Sequence, residues 1–183
     1  VTRPFDGRRV VLGVTGGIAC YKSVTLARQL TQAGATVDVI LSRAAREFVG
    51  AITFEAVTGR AVAADILAAG HALAHIRLAK EADLVIVAPA TADLLARAAA
   101  GRADDQLTAI LLATRAPVLI APAMNDGMWA HELTLDNVRR LRDVGYAVLE
   151  PESGPLAFGE RAGPGRLPEP EVLLAHAARH LET

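Results

Sequence analysis

"DLVIVAPA", residues 83–90, is the most strand-like run in the chain. Its apolar residues are continuous rather than alternating, as in strands covered on both faces, and such strands belong to parallel sheets. Similar short runs lie on either side of it: "VVLGV" (10–14), "TVDVIL" (36–41), "PVLIAPA" (117–123) and "YAVLE" (146–150). Alanine-rich stretches with helical spacing separate them. Val24, Ala27, Leu30 and Ala33 recur on one face up to Gly34, a C-terminal stop. "AREFVGAITFEAVTG" (45–59) reads as one helix ending in glycine. "ADLLARAAAG", "DQLTAILLATRA", "TLDNVRRLRDVG" (134–145) and a final "EVLLAHAARHL" complete the helices, while the Gly- and Pro-rich residues 151–170 read as irregular. The alternation predicts a single α/β domain over residues 1–183: a doubly wound parallel sheet with helices on both faces.

Composition agrees and narrows the partners. Of 183 residues, 52% are apolar and only 4% aromatic, which suits layered helices and strands rather than an all-β sandwich. Lys and Arg number 19 against 20 Asp and Glu, a net charge of -1 with no basic run, so neither nucleic acid nor an anionic membrane is expected as a partner. Cys20 is the single cysteine, which suits a reducing compartment. No apolar stretch reaches membrane length, and "VTRPFDGRR" has no signal-peptide core, so a cytoplasmic location is expected.

In a doubly wound sheet, ligands bind outside the carboxyl ends of the strands. The segments just after the strands are "TGGIA" (15–19), "SRAAREF" (42–48), "APATADLL" (88–95) and "PAMNDGMW" (122–129), and none holds a metal-binding cluster. The first belongs to "GVTGGIACYKS" (13–23), a strand-to-helix turn of the kind that holds phosphate. Its glycines miss the G-x-G-x-x-G spacing of dinucleotide sites, and Tyr21 stands where a Walker A loop needs glycine. By itself the turn fits a phosphate site or a tight turn without ligand.

"GGIAxYK", "PATAD", "AGRADD" and "PAMNxxMW" together resemble the homo-oligomeric flavin-containing cysteine decarboxylases, from about Arg8 to Pro170. The resemblance is strongest to the branch acting on phosphopantothenoylcysteine in coenzyme A synthesis. It implies a Rossmann-like flavoprotein fold and FMN as cofactor. Gly16, Gly17 and Ile18 would receive the FMN phosphate, glycine leaving room for backbone approach. Ser42 matches a phosphate-binding hydroxyl and also reads as a helix N-cap. Thr91, Ala92 and Asp93 match the flavin-contacting segment, with Asp93 where relatives often carry Asn, and Ala123 matches the small residue beside the cofactor.

The same resemblance makes His75 the proton-transfer residue and Asn125 the holder of the substrate carboxylate through its amide N–H groups. Without it, His75 would read as an ordinary surface or packing residue; His71, His131, His176 and His180 read as surface residues. Pro122 and Met124 read as structural, and Met128 and Trp129 equally as core or pocket wall. Asp104 stands where many members carry Asn. Residues 151–170 match a substrate flap in which Ala157 and Phe158 meet the substrate. Phe158 occupies the position of a cysteine that donates a proton in the reductive step, and Cys20 sits elsewhere, in the phosphate-loop helix.

The chemistry implied is FMN-dependent conversion of 4′-phosphopantothenoylcysteine to 4′-phosphopantetheine. Hydride removal from the sulfur-bearing carbon gives a thioaldehyde, which lets the neighbouring carboxylate leave as carbon dioxide; hydride return reduces the enethiol. A small phosphorylated cysteine conjugate is thus the expected partner, with a homotrimer or dodecamer as the assembly and a fused CTP-dependent ligase in longer forms. Two alternatives remain: a decarboxylase of C-terminal peptidyl cysteine that stops at the enethiol, favoured by Phe158, and a non-catalytic flavin-binding regulatory subunit, disfavoured by the presence of both His75 and Asn125.

Overall fold

The computed structural model describes residues 3–63 and 65–182; of the expected domain, Val1, Thr2, Ala64 and Thr183 lie outside the described residues. Five parallel strands form the centre. These are β1 (Arg9–Val14), β2 (Thr36–Leu41), β3 (Leu84–Ala90), β4 (Val118–Pro122) and β5 (Ala147–Val148), in the spatial order β2-β1-β3-β4-β5. Between and after them run α1 (Cys20–Gln32), α2 (Ala45–Phe48), α3 (Ala51–Thr58), α4 (Ala74–Glu81), α5 (Ala92–Ala99), α6 (Gln106–Ala113), α7 (Asp126–Ala130), α8 (Glu132–Asp143) and α9 (Pro170–Arg179).

The continuous apolar strands have a direct cause. In β1, Val10, Leu12 and Val14 pack with Leu26, Leu30, Phe54 and Leu173 on one face of the sheet. Val11 packs on the other, with Val85, Val87, Leu94, Leu95 and Ile110. Alternate residues therefore enter two cores, and neither face of a central strand meets water. The doubly wound sheet and its two helical layers agree with the sequence.

Several local features differ from it. The expected helix 45–59 is two helices, because Val49 is extended (φ -141°, ψ 127°) before Gly50 caps α3. A β-branched residue followed by glycine is a weak point for a helix. The last strand of the sheet shrinks to Ala147–Val148, and α4, carrying His75, and α7 are additional helices. Residues 151–170 are also not wholly irregular. Glu152–Gly154 (β6) and Gly163–Arg166 (β7) pair antiparallel, joined by a loop over 155–162. Glycines that weaken an isolated strand here let β7 lie close against the turn after β4.

Candidate functional site

The strand order places the site. The chain leaves β1 toward β2 on one side, while β3 to β5 extend on the other, so a crevice opens outside the carboxyl ends of β1 and β3. Thr15, one residue past β1, ties these ends together. Its hydroxyl donates to the Pro89 carbonyl (2.7 Å) and accepts from the Thr91 N–H (2.9 Å). The start of α1 is held by the Ser23 hydroxyl on the Ala88 carbonyl (2.6 Å) and the Cys20 thiol on the Thr15 carbonyl (3.0 Å). Cys20 is wholly buried and burial pushes its pKa up, so it serves as a packed hydrogen-bond donor.

Glycine at 16 has a reason other than the expected phosphate approach. A Cβ there would stand 2.4 Å from the Ala44 Cβ, so it is the approach of the chain just before α2 that requires glycine. Gly17 differs: a Cβ there would meet nothing within 4 Å, leaving that side of the turn open.

A cavity of about 590 Å³ occupies the crevice. It brings together Gly16, Gly17 and Ile18 after β1, Thr91 and Ala92 after β3, and Ala123 and Asn125 after β4, with Ala157 and Phe158 from the β6–β7 loop, the segment expected as a flap and hereafter called the flap. Thr91 also caps α5, its hydroxyl accepting from the Leu94 N–H. Met124 and Met128 line the cavity, whereas Trp129 is buried in the core below.

Asn125 is held in a defined orientation. It caps α7, its Oδ1 accepting from the N–H groups of Gly127 (2.8 Å) and Met128 (3.2 Å). With the oxygen committed, the amide nitrogen is the outward group, and Nδ2 donates to Glu160 Oε1 of the flap at 3.0 Å.

The flap is anchored at its base. The Met124 N–H donates to the Gly165 carbonyl (2.9 Å), and a Cβ at Gly165 would fall 2.1 Å from the Met124 carbonyl oxygen. Behind β7, Lys22 Nζ donates to the Leu167 carbonyl (2.9 Å) and to Glu169 Oε1 (3.0 Å), and Arg166 pairs with the same carboxylate. The Lys22 hydrogen bond and the nearby cations hold the Glu169 carboxyl below its ordinary range. Phe158 is fully exposed at the cavity mouth.

Other expected residues stand elsewhere in the chain. The Ser42 hydroxyl accepts from the Ala45 N–H (3.1 Å) in the turn before α2, whose N-cap is Ala44 rather than the expected Ser42, and it lines a second cavity beside Arg43 and Gln106. Asp93 is exposed and pairs with Arg97 (3.0 Å), which also reaches Asp104 (3.3 Å) and Asp105 (2.7 Å). Burial alone would raise the Asp105 carboxyl, but the Thr108 N–H and Arg97 outweigh it and hold it low. His75, in the first turn of α4, is outside the cavity lining, and its buried Nδ1 finds no hydrogen-bond partner among the described residues. His131 caps α8, its Nδ1 accepting from the Leu133 N–H. Among the described residues no group of His, Cys, Asp and Glu could hold a metal, and no helix is long and apolar enough to cross a membrane.

Lys22, Glu160, Arg166 and Glu169 were not singled out from sequence. Lys22 had a signal, as the last residue of "GGIAxYK"; the others depend on chain segments meeting in space.

Comparison with known proteins gives the site a context. The Flavoprotein family matches residues 1–181. The chain is 55% identical over 175 residues to the coenzyme A biosynthesis bifunctional protein CoaBC of Mycolicibacterium smegmatis, covering 96% of this chain and 42% of that protein. It is 49% identical to CoaBC of Vibrio cholerae, covering 93% of this chain and 43% of that one. The chain thus spans about two fifths of the length of these curated relatives. Among solved structures, the FMN-dependent cysteine decarboxylase SpaF superposes with a TM-score of 0.82 at 34% identity, over 96% of this chain and 98% of that one. A cysteine-to-serine variant of PPC decarboxylase complexed with pantothenoylaminoethenethiol gives 0.86 at 26% identity, over 96% and 99%.

Proposed function

The chain belongs to the Flavoprotein family, and from that premise we propose that it is an FMN-dependent decarboxylase converting 4′-phosphopantothenoylcysteine to 4′-phosphopantetheine. The observation that carries this reading is the Asn125 amide, fixed by its own cap so that Nδ2 faces the cavity at the β1/β3 crevice. The residues present fit FMN. The turn is open beside Gly17, α1 has no side-chain cap competing for its first amides, and Ile18, Ala92 and Ala123 offer small or apolar walls. Gly17 and Ile18 would take the phosphate, with Thr91, Ala92 and Ala123 along the ring.

FMN, when bound, supplies hydride acceptance from the sulfur-bearing carbon and hydride return. The chain's own residues do the rest. The Asn125 Nδ2 hydrogens bind the substrate carboxylate and orient the bond to be broken. The flap covers the cavity and excludes water from it. His75 moves a proton, and its place outside its own chain's cavity supports supply from a neighbouring copy in a homotrimer or dodecamer.

A second reading has one observation in its favour. Phe158 has no proton to donate, and an enzyme that stops at a peptidyl enethiol needs none. One experiment separates the two. The FMN-loaded protein is incubated with phosphopantothenoylcysteine and, separately, with a cysteine-ended peptide, and products are identified by mass spectrometry. Phosphopantetheine from the first supports the leading reading. Enethiol from the peptide alone replaces it. A colourless protein that fails to bind added FMN removes both.

A further inference from the structure

We propose that Glu160 is an internal stand-in for the substrate's carboxylate: it occupies the Asn125 amide in the free protein and is exchanged for the substrate's own carboxylate on binding. This rests on the reading of Asn125 given above and adds a specificity-determining residue to it.

Geometry carries the inference. Asn125 has one outward-facing polar group, Nδ2, because Oδ1 is held by two backbone amides of α7. The partner at 3.0 Å is a flap carboxylate, the same chemical group that the substrate would present. The nearby cations do not draw Glu160 away. Lys22 and Arg166 also line the cavity, but both are engaged with Glu169. Glu160 sits on the loop between β6 and β7, five residues before the Gly165 carbonyl that anchors β7 to Met124. The loop can therefore change its contact with Asn125 while the flap's base stays seated.

The consequence is selection by charge. A ligand without a carboxylate has nothing to offer in place of Glu160 and leaves the Asn125–Glu160 contact standing. A ligand with one must displace Glu160, which lowers its apparent affinity by the strength of that contact. Once carbon dioxide has left, the product has no carboxylate, and Glu160 returns to Asn125.

Calorimetry on the FMN-loaded protein tests this with two probes. Phosphopantothenoylserine carries the carboxylate but has a hydroxyl in place of the thiol; phosphopantetheine lacks the carboxylate. Glu160 is exposed, so Glu160→Gln and Glu160→Ala leave the core unchanged. Losing a charge-assisted contact on a solvent-facing loop should tighten the serine analogue about three- to tenfold. Phosphopantetheine affinity should stay within about twofold, since it never competed for the amide. Equal affinity of the serine analogue for wild type and both variants overturns the exchange, as does equal tightening of both ligands. Asn125→Ala separates the underlying reading. If it weakens the analogue while the Glu160 variants do nothing, Asn125 holds the carboxylate and Glu160 is uninvolved. If it leaves the analogue unaffected, both ideas fall.

Discussion

Lys22 Nζ and Glu169 Oε1 lie 3.0 Å apart across 147 residues of chain, one at the start of α1 and the other just beyond the flap. The ammonium is nearly buried, with its side chain 6% exposed, and also serves the Leu167 carbonyl. This pair fastens the segment after β7 to α1, the helix that follows the turn after β1. Lys22→Met keeps the volume but removes both hydrogen bonds. It should cost about 2–3 kcal/mol, measured by urea unfolding, and should speed tryptic cleavage in the flap. An unchanged urea midpoint would show that the pair does not hold the flap.

The same pair predicts a pH dependence. Glu169 is held below its ordinary value of 4.5 by Lys22 and Arg166, so its contribution to stability is complete above that value. As pH falls through the lowered pKa of the folded state, the carboxylate is protonated and the contribution disappears. Glu169→Gln should therefore unfold at lower urea than wild type at neutral pH, and the gap should close under acid. Because the carboxylate is 44% exposed, the gap should also shrink in high salt. A gap constant from neutral to acid pH would contradict the assignment.

Gly165 and Gly163 should behave differently although both lie in β7. A Cβ at Gly165 meets the Met124 backbone carbonyl at 2.1 Å, and φ is +149°. Neither problem can be relieved by rotating a side chain, so Gly165→Ala should unseat the flap base and cost about 2–4 kcal/mol. At Gly163 the nearest atom is Asp126 Oδ2 at 3.0 Å, on a side chain able to turn away. Gly163→Ala should cost less than about 1.5 kcal/mol. Equal losses in denaturant titrations would show that the approach to Met124 is not the controlling contact.

Asn125→Asp preserves an oxygen for the Gly127 and Met128 amides but turns the outward group from donor to acceptor. Folding and flavin binding should survive. Turnover should drop by at least about a hundredfold, because a carboxylate would then face the substrate's carboxylate in a shielded site. Near-normal kcat/KM would remove Asn125 from the site.

His75→Asn should abolish turnover and leave the flavin spectrum intact. If the site is shared between copies, mixing His75→Asn and Asn125→Asp subunits should restore about a quarter of the sites by random assembly. The readout is carbon dioxide release after co-refolding. No recovery in a mixed oligomer of proven composition would place His75 and Asn125 in the same subunit's site, or His75 outside it.

What the sequence alone determines follows from local physics. A continuous run such as Leu84–Ala90 shows that both strand faces are covered, and the helical spacing after Cys20 shows where α1 packs. Strand ends are local features too, so Gly17, Thr91 and Asn125 were legible as residues at one edge of a sheet. The break at Val49–Gly50 is local as well, but both neighbouring segments have helical character and hide it.

Tertiary structure decided which distant groups meet. Thr15 bonding to Thr91, Lys22 to Glu169 and Asn125 to Glu160 join residues 35 to 147 positions apart, and no periodicity encodes such pairings. The same holds for the reason behind a residue type. Gly16 and Gly17 are adjacent and identical in sequence, yet one is compressed against Ala44 and the other faces open space. Side-chain volume is a property of the residue, but the room available to it is set by what the rest of the chain packs alongside.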